Sequence, residues 1–230
     1  MGTIGIVSGN PDEFGEHLQP FLQGTTNIRV LDRFEDVETS LSEVDGLFLT
    51  CIDAASCRTL GVPSNLGKWY SDLLSKAMYY NMPVLAMCQG MQILNAALGG
   101  EANLRMDTHL LDKAGGWDQK FMADRHQIYI SPGSKLAAIL GSGGFVRVNS
   151  YHSAGINQAG QSKTLVSSAY SVDDGVVEAL ESPTHDWVIG VQWHNEIYGE
   201  TPKNFDNIFH AFVERTDSYA QKTKSVLPES

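Results

Sequence analysis

Four apolar runs of strand length constrain the fold of this chain more than any other feature. They cover residues 3–7, 28–31, 44–49 and 83–87, and the residues between successive runs are numerous enough for a crossover helix. A strand, a helix and a second strand in this order form the βαβ unit, in which the two strands run parallel. We therefore predict an α/β fold whose sheet begins with parallel strands.

Two helices follow from the pattern around the fourth run. After that run, a helix is predicted over residues 89–98, because Gly99 and Gly100 end it. Before it, apolar side chains recur at the i, i+3, i+4, i+7 and i+8 positions of an amphipathic helix that ends just before Pro83. This earlier set comprises Leu66, Trp69, Tyr70, Leu73, Leu74, Ala77 and Met78.

The pattern changes after Gly100 to short alternating runs. They cover residues 127–131, 145–149, 164–171, 176–181 and 188–193, with turn residues between them. We predict that this half of the chain is mostly antiparallel and closes with a helix over residues 202–213. Residues 1–217 are therefore expected to form one domain, and the polar segment 218–230 is expected to be a frayed tail.

Composition and charge exclude two classes of partner. The chain has 230 residues, 42% of them hydrophobic, which suits one α/β core. The net charge is −11, and the 16 Lys and Arg residues are scattered. There is no basic stripe, and no apolar run approaches the roughly 20 residues that cross a bilayer. We expect neither nucleic acid nor a membrane as a partner.

Cysteine usage indicates a cytoplasmic protein without a metal centre. The three cysteines are odd in number, too few for a disulfide framework, and without the paired spacing of metal sites. The N-terminal residues lack the basic flank and apolar core of a signal peptide. A reducing, cytoplasmic location therefore fits best, and neither a metal nor another cofactor is expected.

Cys88 stands where an apolar strand runs directly into a helix. At a helix N-terminus, the unpaired amides and the helix dipole favour the thiolate, which is the nucleophilic form of cysteine. Gly90, two positions later, permits the tight strand-to-helix turn of a nucleophile elbow. The same position also suits a small buried core residue, so the strand context alone leaves both interpretations open.

A second apolar strand ends in a histidine and a glutamate. The run 188–193 is followed by His194 and, two positions later, by Glu196. In a thiol mechanism, a histidine takes the cysteine proton and later protonates the leaving amine, while a carboxylate orients the histidine. Because open α/β sheets place their sites at the C-terminal ends of strands, we expect these groups to lie near Cys88.

Several segments carry a resemblance to a known family. A resemblance to the nucleophile motif of class I glutamine amidotransferases is carried by residues 88–92 (Cys-Gln-Gly-Met-Gln) and 95–100 (Asn-Ala-Ala-Leu-Gly-Gly). The spacing from this motif to His194 and Glu196 also resembles that of the family. Residues 148–152, 174–179 and 190–194 resemble the γ-glutamyl-γ-aminobutyrate hydrolase branch, which contains stand-alone γ-glutamyl hydrolases. The resemblance covers residues 45–212 and implies a flavodoxin-like, mostly parallel central sheet flanked by helices, with additional antiparallel strands in the second half.

The resemblance also implies the roles of the catalytic residues. Cys88 would form a γ-glutamyl thioester, His194 would act as general base and acid, and Glu196 would orient the histidine. Water would then release glutamate. The amide of Gln89, next to the nucleophile, is expected to donate to the oxyanion.

The loop after the third strand departs from the family pattern. The family places a glycine pair there, whereas this chain has Cys51 and Ile52 after Thr50. A backbone amide survives any substitution, but a residue with a Cβ does not reach every conformation of glycine. Cys51 and Ile52 are therefore candidates for the second oxyanion donor, and simple packing by Cys51 is an equal alternative.

Four substrate-binding residues are implied by the same resemblance. Gln92, one turn into the helix, matches the family glutamine that contacts the glutamyl group, with an ordinary exposed helix residue as the alternative. Tyr151, His152 and Ser153 match the loop that holds the glutamyl backbone atoms. The branch usually has a histidine and a glutamine where Ser153 and Ala154 stand, so the identity of the substrate stays open.

Three functions remain in competition at this point. The leading hypothesis is a hydrolase that cleaves the γ-glutamyl amide bond of a small γ-glutamylated amine or metabolite. The alternatives are the glutaminase subunit of a two-component amidotransferase, which supplies ammonia to a synthase partner, and a non-catalytic binding relative. A homodimer is compatible with each of these three functions. Loops such as residues 110–122, which carry no transferable motif, would recognise the amine side of the substrate. His109 and His126 are given no role.

Overall fold

The first half of the chain alternates strands with helices. The structure is a computed structural model that describes residues 2–9, 11–22, 26–51, 67–101, 104–105, 124–152, 154–197 and 199–226. The elements are β1 (Thr3–Val7), α1 (Pro11–Leu18), β2 (Asn27–Val30), α2 (Val37–Ser42), β3 (Gly46–Leu49), α3 (Lys68–Tyr79), β4 (Val84–Met87) and α4 (Gln89–Ala97). All four strands and both helices predicted from the sequence of this half are present.

The second half is richer in strands. Its elements are β5 (Leu104–Arg105), β6 (Asp124–Ile130), α5 (Lys135–Leu140), β7 (Gly144–Ser150), β8 (Ala154–Gly155), β9 (Val166–Ser171), β10 (Val177–Glu181), β11 (Val188–Val191) and α6 (Asn207–Val226). The five predicted strands correspond to β6, β7, β9, β10 and β11. The short helix α5 and the two-residue strands β5 and β8 were not predicted.

The strand order identifies the fold class. In the described part of the chain, nine strands form one sheet in the order β2-β1-β3-β4-β11-β10-β9-β6-β7. The strands from β2 to β11 in this order are parallel, which is the 2-1-3-4-5 arrangement of flavodoxin-like folds. The strands from β10 to β7 are antiparallel additions. The predicted flavodoxin-like sheet with additional antiparallel strands is confirmed.

Helices cover both faces of the parallel strands. The side chains of β3 alternate between the two layers: Leu47 and Leu49 pack in the cluster that includes α3 and α4, whereas Phe48 packs in the cluster that includes α6. The Phe48 ring lies 6.3 Å from the rings of Phe209 and Phe212 on α6, measured between centroids. Because both faces are covered, every residue of β3 and β4 is buried, and these strands read as continuous apolar runs.

The closing helix is longer than predicted. Its predicted end was residue 213, and a frayed tail was expected from residue 218, but α6 continues to Val226. Thr216 and Ala220 are both fully buried on this extension, and Tyr219 packs against the core. The apolar stripe of α6 therefore continues through a segment whose composition is mostly polar. None of the helices in the described ranges is both long enough and apolar enough to span a bilayer.

Candidate active site

Cys88 occupies a strained turn between β4 and α4. Its backbone has φ 51° and ψ −116°, and it is one of two non-glycine residues with positive φ in the described part of the chain. Such a conformation costs about 1–3 kcal/mol and persists only where the surrounding structure holds it. Here the Cys88 amide donates to the Val191 carbonyl at 2.8 Å, while the Cys88 carbonyl accepts from the Met91 amide at 3.1 Å. The residue is therefore held from the sheet side and from the helix side, as a nucleophile elbow requires.

Gly90 allows the first turn of α4 to lie directly against the end of β3. A Cβ on this residue would stand 2.3 Å from the Leu49 carbonyl oxygen and 3.0 Å from the Thr50 amide nitrogen. No side chain fits at those distances. The glycine is thus required by a close backbone approach, which sets the position of the elbow relative to the loop after β3.

His194 and Glu196 lie at the neighbouring strand end. Strand β11 pairs in parallel with β4, with Val191 opposite Met87, so the residues that follow both strands emerge at the same sheet edge. Nδ1 of His194 lies 2.5 Å from Oε1 of Glu196. This carboxylate fixes the ring orientation and leaves Nε2 for the thiol of Cys88. The structure brings together the three side chains predicted to form the catalytic group.

The charge state of His194 follows from its neighbours. Burial by itself lowers the pKa of His194, but the charges of Cys88 and Glu196 and hydrogen bonds to both outweigh burial and raise the pKa well above its usual value. The protonated imidazole is therefore stabilised between Cys88 and Glu196. This arrangement suits a thiolate nucleophile and a histidine that donates a proton to a leaving amine.

The loop that carries His194 is fixed to β7 and to the turn that precedes α6. The side-chain nitrogen of Asn149 donates to the His194 carbonyl at 2.8 Å, and its oxygen accepts from the His194 amide at 2.9 Å. Asn195 is 4% exposed and donates to the Phe205 carbonyl at 3.2 Å. These bonds position the histidine through its backbone, because they do not involve the imidazole ring.

The predicted oxyanion donors have different surroundings. Gln89 is the first residue of α4 and is 1% exposed, so its amide lies outside the hydrogen-bond ladder of the helix. The Thr50 amide donates to the Val7 carbonyl at 3.1 Å and is therefore occupied. The Cys51 carbonyl accepts from the Gly9 amide at 2.8 Å. Ile52 lies outside the described residues, and a second donor from this loop stays a prediction.

Cys51 lies beside Cys88 and His194. Sγ of Cys51, Sγ of Cys88 and a ring nitrogen of His194 all lie within 4.8 Å of one another. Two thiolates and an imidazole would suit zinc, but Cys51 is disulfide-bonded, so its sulfur is not a thiolate ligand. Cys88 carries a thiol. The sequence did not predict a disulfide at Cys51, because a count of cysteines does not show which of them pair.

Gln92 is buried beside the elbow. It is 2% exposed, which rules out the alternative of an ordinary exposed helix residue. Its side-chain nitrogen donates to the Ala154 carbonyl at 2.8 Å and to Oε1 of Gln192 at 3.0 Å. Its own Oε1 is buried and has no hydrogen-bond partner among the described residues. Gln92 thus ties α4 to β8 and to Gln192, the residue after β11, and it presents one unused acceptor.

Tyr151 is held by a carboxylate, and His152 is held by a backbone carbonyl. The Tyr151 hydroxyl donates to both carboxylate oxygens of Glu200 at 2.8 Å, and its ring stands edge-on to His194 with centroids 5.4 Å apart. Burial, reinforced by Glu200, raises the pKa of Tyr151, so the hydroxyl remains a donor. His152 is 1% exposed, with Nδ1 3.0 Å from the Ala154 carbonyl. Ser153 and the loop of residues 110–122 lie outside the described residues.

A buried glutamate beside this loop was missed by sequence reasoning. Glu178 on β10 is fully buried, and its Oε1 lies 3.3 Å from Nε2 of His126 and 3.7 Å from Nε2 of His152. Burial alone would lower the pKa of His126, but the hydrogen bond and charge of Glu178 prevail and raise it. An acid inside an apolar strand was the available signal, because a buried carboxylate needs a partner. Its partners could not be read from the sequence.

Comparisons with known proteins identify the family of this chain. The sequence profile of the family described as Peptidase C26 matches residues 63–196, which include Cys88, His194 and Glu196. The chain is 35% identical over 162 residues to the candidate glutamine amidotransferase Rv2859c of Mycobacterium tuberculosis, covering 70% of this chain and 49% of that protein. It is 30% identical over 134 residues to the γ-glutamyl-γ-aminobutyrate hydrolase PuuD of Escherichia coli K12, covering 54% of this chain and 50% of that protein.

A solved structure shares the fold over nearly the whole chain. The glutaminase domain of Trypanosoma brucei CTPS, solved with bound acivicin, has a TM-score of 0.67 at 20% identity and covers 95% of this chain and 94% of that one. The chain spans about half the length of the curated relatives it matches. The profile match extends over more than half of the sequence. The chain therefore belongs to the Peptidase C26 family, within the class I glutamine amidotransferase-like group.

Proposed function

We propose that this protein hydrolyses the γ-glutamyl amide bond of a small γ-glutamylated amine or related metabolite and releases glutamate. One observation carries the proposal. A strained, buried Cys88 ends β4 beside His194, whose ring is oriented by Glu196 from the adjacent parallel strand. A structural cysteine has no need of a strained backbone, a charged imidazole and an orienting carboxylate.

The first half-reaction forms a thioester. The Cys88 thiolate attacks the γ-carbonyl carbon, and the carbonyl electron pair moves onto oxygen. The Gln89 amide, at the N-terminus of α4, donates to this oxyanion. As the intermediate collapses, the C–N bond breaks, and the protonated His194 delivers its proton to the departing amine. The products of this step are a γ-glutamyl thioester on Cys88 and a neutral imidazole.

The second half-reaction uses water. His194 Nε2 takes a proton from water as the water oxygen attacks the thioester carbon, and collapse breaks the C–S bond. Glutamate leaves, and the thiolate and imidazolium pair is restored. Glu196 orients the ring and stabilises the imidazolium. The raised pKa of His194 supports this cycle, because it favours the protonated form with which the cycle begins.

Gln92 supports recognition of the glutamyl group. Its buried Oε1 is available to accept a hydrogen bond from the substrate ammonium, while its side-chain nitrogen is held by Ala154 and Gln192. Because the amide cannot rotate without losing those bonds, the acceptor is preorganised. In this proposal Tyr151 and His152 complete the pocket through their backbone, since their side chains are bound within the protein.

A second candidate function is favoured by one comparison. The relative with 35% identity is named as a candidate glutamine amidotransferase, and a glutaminase subunit would use the same chemistry on free glutamine. Such a subunit would transfer ammonia to a synthase partner. The two functions differ in the leaving amine and in whether activity depends on a partner.

A substrate panel separates these possibilities. Reduced protein is incubated with a set of γ-glutamyl amines and, in parallel, with free glutamine, and glutamate release is measured. We expect release from at least one γ-glutamyl amine, and Cys88→Ala should abolish it while leaving the circular dichroism spectrum unchanged. A diazo-ketone glutamine analogue should label Cys88. Hydrolysis of glutamine alone would favour the glutaminase, and absence of both labelling and turnover would contradict an enzymatic role.

A further inference from the structure

Cys51 places a disulfide sulfur beside the nucleophile. Sγ of Cys51 and Sγ of Cys88 lie within 4.8 Å of each other, and a ring nitrogen of His194 lies within the same distance of both. Cys51 is disulfide-bonded, whereas Cys88 carries a thiol. The third cysteine of the sequence, Cys57, lies outside the described residues. A thiol activated by a histidine thus faces an oxidised sulfur.

We propose that Cys51 is a modification site at which the nucleophile is reversibly blocked by thiol–disulfide exchange. The thiolate of Cys88 attacks Sγ of Cys51, and a Cys51–Cys88 disulfide forms as the original disulfide bond of Cys51 breaks. The departing sulfur leaves as a thiolate and takes a proton from solvent. One S–S bond forms and one breaks, so the step needs no external oxidant. The proposal rests on the nucleophilic role of Cys88 in the proposed function.

The geometry is compatible with this bond. A disulfide bond is about 2.05 Å long, so the two sulfurs must approach by at most about 2.8 Å. Rotation of both side chains about their Cα–Cβ bonds supplies a displacement of this size. The backbone on each side is anchored, because the Cys51 carbonyl accepts from the Gly9 amide and the Cys88 amide donates to the Val191 carbonyl. The two sulfurs are therefore held as neighbours.

His194 favours the exchange for the same reason that it favours catalysis. The attacking group in thiol–disulfide exchange is the thiolate, and His194 lies next to Cys88 with a pKa raised well above its usual value, despite burial, by the charges of Cys88 and Glu196. Once Cys88 is bonded to Cys51, no sulfur electron pair is available to attack a carbonyl carbon. A small thiol or dithiol that reduces the new bond restores the nucleophile.

Mapping of the disulfides tests the proposal without using turnover. The full chain is equilibrated in oxidised and reduced glutathione, quenched with acid, alkylated with N-ethylmaleimide and digested for mass spectrometry. We expect a peptide pair that joins Cys51 to Cys88, loss of alkylation at Cys88, and recovery of that alkylation after treatment with dithiothreitol. The proposal would be overturned if Cys88 of the wild-type protein carried only glutathione or N-ethylmaleimide and no peptide joining Cys51 to Cys88 were found.

Two variants sharpen the test. In Cys57→Ser, Cys51 has only Cys88 as a partner within the chain, so the same buffer should drive the Cys51–Cys88 bond further; its absence there would also overturn the proposal. In Cys51→Ser, the joined peptide must disappear, and Cys88 should instead carry glutathione. If fully reduced wild type releases no glutamate while the joined peptide forms, the proposed function fails and the modification site stands.

Discussion

Substituting Gly90 by alanine tests the requirement for a close backbone approach at the elbow. The added Cβ would lie 2.3 Å from the Leu49 carbonyl oxygen and 2.6 Å from the Leu49 carbonyl carbon. Both atoms belong to the end of β3, whose residues are all buried, so neither can move into solvent. Either the first turn of α4 must move away from β3, or the loop that begins at Thr50 must shift.

The size of the effect follows from those distances. A carbon atom does not approach a carbonyl oxygen more closely than about 3.0 Å, so a shift of at least about 0.7 Å is required. Overpacking of this kind costs about 1–3 kcal/mol of folding stability. A misplacement near 1 Å lowers catalysis by about 100-fold, because Cys88 and the Gln89 amide move with the turn. We therefore expect kcat to fall by about 30- to 100-fold.

Two measurements on purified protein check this prediction. Urea unfolding gives the change in stability, and labelling of Cys88 by a glutamine analogue gives the loss of reactivity. Gly15→Ala is the matched control, because it lies within α1 and, among the residues that the structure describes, its added Cβ would meet only Ile28, at 4.0 Å. Alanine there should stabilise the protein by up to about 1 kcal/mol and leave labelling unchanged. A Gly90→Ala variant that matches wild type in both measurements would refute the reasoning.

Three further outcomes are expected. His194→Asn should lower kcat by several orders of magnitude and Glu196→Gln by less, because a proton carrier contributes more than the group that orients it. His126→Gln should cost more folding stability at about pH 5.5 than at about pH 8.5, as measured by urea titration. The folded-state pKa of His126 is raised, so the stabilising contribution of this residue is complete below the unfolded pKa of 6.5. That contribution disappears as the pH rises through the folded-state pKa. Gln92→Leu should lower kcat/KM for a γ-glutamyl substrate by about tenfold or more, because two buried hydrogen bonds and one acceptor are lost.

Each of these expectations has a result that contradicts it. Equal and mild losses in His194→Asn and Glu196→Gln would contradict the assignment of base and orienting group. A stability difference for His126→Gln that does not change with pH would show that Glu178 does not stabilise a charged His126. An unchanged kcat/KM in Gln92→Leu would remove this residue from the glutamyl pocket.

Local sequence patterns predicted most of the strands and helices, because each of these elements depends on residues that are close together in the chain. Strand β1 matches its predicted bounds, since five consecutive residues carry the signal. Helix α5 was missed although both of its ends have recognisable signals: the Ser134 side chain accepts from the Ala137 amide, and Gly141 ends the helix at φ 79°. The extension of α6 was missed because a narrow buried stripe inside a polar segment resembles a disordered tail in composition.

The elbow at Cys88, the two-residue spacing of His194 and Glu196, and a sheet that begins with parallel strands were predicted from the sequence itself, whereas the flavodoxin-like strand order was implied by the family resemblance. Each depends on patterns that repeat every two to four residues, or on a motif that is contiguous in the chain. Which strands become neighbours is a different kind of information, because pairing depends on the packing of the whole core.

Only the tertiary structure placed β11 beside β4, the Cys51 sulfur beside Cys88, and Glu178 beside His126. These contacts join residues 37 to about 100 positions apart in the sequence. Residues so far apart share no periodicity, so their proximity arises when the sheet and its covering helices bury their apolar faces together.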